Sequence, residues 1–154
     1  MTTVTVTRYF ASSPDRIWTA LTDAGALAAW FWPEQLEARI SADARTGGGY
    51  RIESAPAAMA VSGGYLEVRP LERMVMSWRW DGEAGESLVT IDLRPAGDGT
   101  ELHLRHDQLL DERTQEMHEE GWSDCLDRLP PWLERTSDEV DPGVIPATRR
   151  RDCN

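Results

Sequence analysis

Lysine is missing from the 154 residues altogether, so all 16 basic residues are arginine. Beside the many Ala and Gly, this reads as the codon bias of a GC-rich bacterial genome. Positive charge is also scarce against 27 Asp and Glu, leaving a net charge of −11 and a pI of about 4.6. A protein must bring positive charge to phosphates, so nucleic acid and anionic membrane are excluded as expected partners. Cysteine is nearly absent, with Cys125 and Cys153 alone, which is no disulfide framework and contains no CxxC. No apolar run approaches the ~20 residues of a membrane-spanning helix. The opening MTTVTVTRYF lacks the basic start and apolar run of a signal peptide, so the chain is expected in the cytoplasm.

The acid that is present is uneven. Residues 111–141 hold eleven Asp or Glu against three Arg, a net of −8. Such a stretch is a solvated helix face, or an acidic docking surface for a basic protein partner.

Length favours one domain able to bury a core without metal or disulfides. TVTVTRYF, residues 3–10, alternates and is β-branched, so it reads as a strand. Ser13 is a good N-cap and Pro14 suits the first helical position, which starts a short helix ending near Asp23. A second short helix spans about Gly25 to Ala29. Leu36, Ala38 and Ile40 alternate with polar residues and predict a strand there. Further strands are expected at 50–54, 59–69, 72–80, 87–94 and 100–106. In the 72–80 strand Met74, Met76, Trp78 and Trp80 share one face, and Val75, Ser77 and Arg79 the other. From Asp111 the period turns helical, with Met117, Gly121, Trp122, Cys125, Leu126 and Leu129 on one stripe. Pro130-Pro131 must kink that helix or restart it. The fold class is α+β: a curved antiparallel sheet of six to seven strands gripping a long C-terminal helix, with two short helices after the first strand. Residues 1–136 form one domain, and 137–154 an acidic-to-basic tail ending beyond Arg149-Arg150-Arg151, expected to be flexible.

Within HEEGWSDCLDRL, residues 118–129, Gly121 costs about 1 kcal/mol against alanine in a helix interior. If Gly121 faces the sheet, it permits close backbone packing, or opens a pocket that Trp122 lines. Seven tryptophans against two phenylalanines supply either core or cavity wall. The candidate cavity set is Trp30, Met76, Trp78, Trp80, His106, Gly121, Trp122 and Cys125. His103 and His106 point to opposite faces of a strand and His118 is distant in sequence, so no metal site is expected. There is no GxSxG, and TGGG at 46–49 lacks the context of a phosphate loop. No cofactor is expected. His106 is the histidine with inward parity, and the one candidate general acid or base.

In order and spacing the chain resembles a known family. The pieces are Ser13-Pro14 with Ile17-Trp18 and Ala20-Leu21-Thr22-Asp23, then Trp30-Phe31, then Gly48, Gly49 and Tyr50. Next come Gly64-Tyr65-Leu66-Glu67-Val68 with Pro70, Arg73 to Trp78, and Gly99-Thr100-Glu101-Leu102 running to His106. His118 with Gly121-Trp122, Leu126 and Leu129 completes the set. Over residues 3–135 it is similar to the Aha1-like family (activator of Hsp90 ATPase homologue, C-terminal domain) of the START-like or SRPBCC superfamily. Pro130-Pro131 and the residues after 136 depart from the family pattern.

The resemblance implies a helix-grip fold with a cavity between long helix and sheet, and more than one activity. Relatives include a co-chaperone domain, binders of lipids and other hydrophobic ligands, aromatic polyketide cyclases and antibiotic self-resistance binders. Hsp90 activation is not expected, since the chain is too short for the co-chaperone's separate N-terminal domain. The leading expectation is non-enzymatic binding of a small hydrophobic or aromatic molecule, in resistance, sensing or stress response. The alternatives are a protein-interaction module using the acidic helix face, then a cyclase-type enzyme using His106. A homodimer is also compatible with the resemblance.

Overall fold

The computed structural model describes residues 2–140. Seven strands form one antiparallel sheet in the order β1-β7-β6-β5-β4-β3-β2. They are β1 Thr2–Phe10, β2 Arg39–Ala42, β3 Gly49–Ser54, β4 Met59–Arg69, β5 Arg73–Trp80, β6 Ser87–Ala96 and β7 Gly99–Leu109. Two short helices follow β1: α1 Pro14–Thr22 and α2 Ala24–Trp30. Two more close the described chain, α3 Glu112–Asp127 and α4 Leu129–Val140. This is the expected α+β helix-grip fold.

Local chemistry explains the starts and stops. The Ser13 hydroxyl accepts the Arg16 N–H and Pro14 opens α1. Asp23 ends α1 and caps α2, its carboxylate accepting the Ala26 N–H at 2.9 Å. Asp111 caps α3 through the Thr114 N–H at 2.9 Å. Pro130 has no N–H to give the Leu126 carbonyl, which accepts instead from the Arg128 N–H, as does that of Cys125. The helix therefore stops at Arg128 and restarts with both prolines in the first turn of α4, where a missing N–H is tolerated. Beyond Val140 the expected tail, including Arg149–Arg151 and Cys153, lies outside the described residues.

Two expectations need correction. The strand expected from Leu36 starts three residues later, and residues 36–38 lie outside it. Glu34–Leu36 form a 3-10 turn closed by Glu37 in the left-handed region at φ 49°, and β2 begins only at Arg39. The Leu36 carbonyl accepts from the Ser54 hydroxyl at 2.6 Å rather than from a sheet neighbour. Met117 is 64% exposed and stands off the buried stripe of α3.

The core lies between the sheet and the helices. Val4, Val6, Met74, Met76, Trp78, Val89, Ile91, Leu102 and Leu104 come from the strands, and Ile17, Leu27, Trp122, Leu126, Leu129 and Leu133 from the helices. The central β6 and β7 alternate buried and open positions, as an antiparallel sheet with one covered face should.

Candidate functional site

A small cavity of about 30 Å³ sits in the grip, room for one or two waters and no organic ligand as it stands. One wall is α1 and α2, giving Leu21, Leu27, Trp30 and Phe31. The sheet's far edge gives Ile40, Ala42, Tyr50 and Ile52. The floor is Tyr65, Met76, Trp78, Ile91 and Leu104, and Trp122 and Leu126 of α3 close it. Every lining side chain is apolar or aromatic.

Four of the eight candidates stand on this wall: Trp30, Met76, Trp78 and Trp122. Trp80, His106, Gly121 and Cys125 do not. Cys125 is buried in the core, where burial pushes its thiol up to about 12, so it stays protonated and inert. Gly121 is a correction of substance. It faces solvent, and a Cβ added there would meet nothing within 4 Å. It makes neither a close backbone approach nor a cavity wall.

Behind Trp78 and Trp122 lies a polar network. His106 is fully buried. Its Nδ1 accepts the Trp122 indole N–H at 2.9 Å, so the ring proton sits on Nε2 and is donated to the Ser87 hydroxyl oxygen at 2.7 Å. The Ser87 O–H in turn donates to the Trp78 carbonyl at 3.3 Å. Ser87 and His106, 19 residues apart, thus meet without forming a nucleophile and base, because the lone pair a base would use is taken by Trp122. His118 was set aside from sequence, yet it lies against His106 with ring centroids 4.8 Å apart. Its Nε2 accepts the Trp80 indole N–H at 3.0 Å and its Nδ1 donates to the Thr114 carbonyl at 2.8 Å. Trp80 also stacks on Trp32, at 4° between planes. Both histidines are therefore neutral hydrogen-bond acceptors for tryptophan. The signal for His118 was its place four residues before Trp122, on one helix face.

Burial, and then the neighbouring His118, lower the His106 pKa to about 3, while Asp107 opposes the shift. Burial raises the Tyr50 phenol well above its ordinary range, and raises Tyr65, with help from the Asp43 carboxylate, to about 12. Among the described residues no cluster of His, Cys, Asp and Glu could hold a metal. The acidic residues Glu112, Glu116, Glu119, Glu120, Asp124 and Asp127 are all exposed on α3.

Arg128 ties the α2 wall down. Its guanidinium donates to the Trp30 carbonyl at 3.2 Å and the Phe31 carbonyl at 2.7 Å. Hydrogen bonds from a charged donor contribute roughly 1.5–3 kcal/mol. Arg128→Ala should therefore speed amide exchange in α2 by tenfold or more and leave β6 and β7 unchanged. Equal protection in both proteins would mean that Arg128 does not hold this wall.

The family described as Activator of Hsp90 ATPase homolog 1-like protein matches residues 11–134. No curated protein matches the chain by sequence. Among solved structures it is similar to protein CV1439 from Chromobacterium violaceum, at 32% identity and a TM-score of 0.78, over 87% of this chain and 99% of that one. CalU16 from Micromonospora echinospora is 27% identical, with a TM-score of 0.70, over 89% of this chain and 82% of that one. DynU16, a protein of the dynemicin biosynthetic locus, shares the fold at 24% identity and a TM-score of 0.75, over 86% of this chain; the match spans 47% of DynU16. With the helix-grip architecture and a family match running from the start of α1 into α4, the chain belongs to the Activator of Hsp90 ATPase homolog 1-like protein family.

Proposed function

We propose that this protein binds a small hydrophobic or aromatic molecule in the cavity between α3 and the sheet. The observation that carries the reading is the cavity itself, enclosed by apolar and aromatic side chains from three sides of the fold. Its small volume means that binding requires a wall to move. The α2 wall is the one to do so. It is a seven-residue helix outside the sheet, held by side-chain packing and the two Arg128 hydrogen bonds, while the floor and far edge are tied by the sheet's backbone ladder. A bicyclic aromatic burying on the order of 300 Å² would gain about 7 kcal/mol at ~25 cal/mol per Å². Association and wall opening subtract several kcal/mol, so Kd values of micromolar or weaker are expected.

The His106-based cyclase reading gains no support. A general acid or base must reach the reacting atoms. His106 is not on the cavity wall and both its ring nitrogens are engaged.

Titration of intrinsic tryptophan fluorescence with a panel of hydrophobic metabolites and aromatic polyketides tests the proposal. Trp30, Trp78 and Trp122 line the cavity and serve as reporters. Saturable quenching is expected. Ala42→Phe, at the half-buried edge of the cavity, should fill it and weaken binding at least tenfold while the fold persists. A flat response across the panel would defeat the proposal, as would unchanged affinity in a folded Ala42→Phe protein.

A further inference from the structure

Trp78 lines the cavity and carries a buried indole N–H that no other group among the described residues receives. The Trp30 indole N–H donates to the Ala20 carbonyl at 3.0 Å, the Trp122 indole N–H to His106, and the Tyr50 hydroxyl to the Ser77 carbonyl at 2.5 Å. The Tyr65 phenol lies in the field of Asp43. Trp78 is 4% exposed and lines the cavity, and its Nε1–H is buried with no partner. Buried donors in native proteins are nearly always satisfied, and an exception calls for an explanation. The neighbouring indoles sharpen the contrast. Trp80 and Trp122, on either side of Trp78, both have histidine nitrogens built to receive them, with ring centroids 5.7 and 5.1 Å from Trp78.

We infer that the ligand is a neutral, mainly apolar molecule bearing one hydrogen-bond acceptor, a carbonyl or ether oxygen, which the Trp78 indole N–H receives. The inference rests on the ligand-binding reading above and deepens it. The wall selects the rest of the molecule. No lining side chain carries a formal charge, so a charged ligand would be desolvated without compensation. A second polar group on the ligand would likewise find the other indoles already committed. No group among the described residues competes for this N–H, so an acceptor on the ligand gains the hydrogen bond without breaking one within the protein.

Two naphthalene probes of one shape test this: 2-acetylnaphthalene, and 2-isopropenylnaphthalene, in which a methylene replaces the carbonyl oxygen. Affinities for both are measured on the wild-type protein and on Trp78→Phe, which keeps an aromatic ring and deletes the donor. The ratio of ketone to hydrocarbon affinity is expected to fall about tenfold in the variant. In the wild type the Trp78 indole proton resonance should move downfield with the ketone and not with the hydrocarbon, a reading that stands even if the variant does not fold. If both probes bind but the ratio and the resonance are indifferent to the oxygen, the donor assignment is overturned and hydrophobic binding survives. If neither probe binds the wild type, the ligand-binding reading falls and takes this inference with it.

Discussion

Lowering the pH from 7.5 to 5 is expected to weaken the fold by about 2 kcal/mol through His106 alone. The folded-state pKa is depressed to about 3, whereas an unfolded histidine titrates near 6.5. Between these values the unfolded chain binds a proton that the native protein refuses. Stability is therefore intact above pH 6.5 and falls as pH drops, by about 1.4 kcal/mol per unit. The refusal has a structural cause. Protonating Nδ1 would expel the Trp122 indole N–H and place a buried charge beside His118, with Asp107 giving only partial relief. His106→Asn keeps an oxygen acceptor for Trp122 and removes the titration. It should be less stable than wild type at pH 7.5 by about 1–3 kcal/mol, from the lost Ser87 bond. As the pH falls its stability curve should close on that of the wild type. The carboxylates whose pKa values are lowered in the fold, Asp81 by Arg51 and Asp111 by the Thr114 N–H, weaken both proteins alike and cancel in the difference. Urea unfolding from pH 7.5 to 5 measures this above the pI of about 4.6, where low net charge favours precipitation. Parallel curves would show that His106 does not titrate as its burial requires. Because the folded protein keeps His106 neutral over this range, the Trp122 wall stays intact and ligand binding by the folded fraction should not weaken with it.

The fold was legible because its signals are local and periodic. Alternation on β5 placed Met74, Met76 and Trp78 inward, and the structure buries all three. The parity of His106 and the capping pair Ser13-Pro14 read correctly for the same reason. What failed depended on how wide a helix stripe the sheet covers. Spacings of three and four admit Met117 and Gly121 to the stripe as readily as His118. The sheet meets only the side running through His118, Trp122, Cys125, Leu126 and Leu129, and nothing in the spacing distinguishes the two. The far half of the cavity, from Leu27 and Phe31 to Ile40, Tyr50 and Ile52, was also missed. Those residues meet only through the α2–β2 crossing, which no local pattern encodes. Leu36 misled because alternation across five residues is weak next to Pro33 and the left-handed Glu37.

Glycine yields the largest expected stability effect, at Gly63 rather than at Gly121. A Cβ at Gly63 would stand 1.9 Å from the Ser77 carbonyl oxygen and 2.6 Å from its carbon, both backbone atoms of the adjacent β5. The closeness has a purpose. The β4–β5 ladder pairs Ser62 with Arg79 and Tyr65 with Met76, and between those pairs Ser77 takes over with its side chain, its hydroxyl accepting the Gly64 N–H at 2.8 Å. Tyr50 on β3 lies directly opposite Gly63, and its hydroxyl reaches across β4 to the Ser77 carbonyl. A bare Cα at Gly63 is what clears that path. Gly63→Ala should therefore separate β4 from β5 and break the Tyr50 bond, destabilising the protein by more than about 3 kcal/mol, the range of buried overpacking combined with a lost buried hydrogen bond. Gly121→Ala is its counterpart: same chemistry, open space, exposed helix interior, and an expected stabilisation of about 0.5–1 kcal/mol. Thermal unfolding of the two variants should move in opposite directions. Two shifts of the same sign would show either that β4 relaxes around the new methyl group or that Gly121 has a packing role after all. Tyr50, Tyr65 and Met76 are all cavity-lining, so in Gly63→Ala ligand binding should fail with the fold, whereas Gly121→Ala should bind as the wild type does.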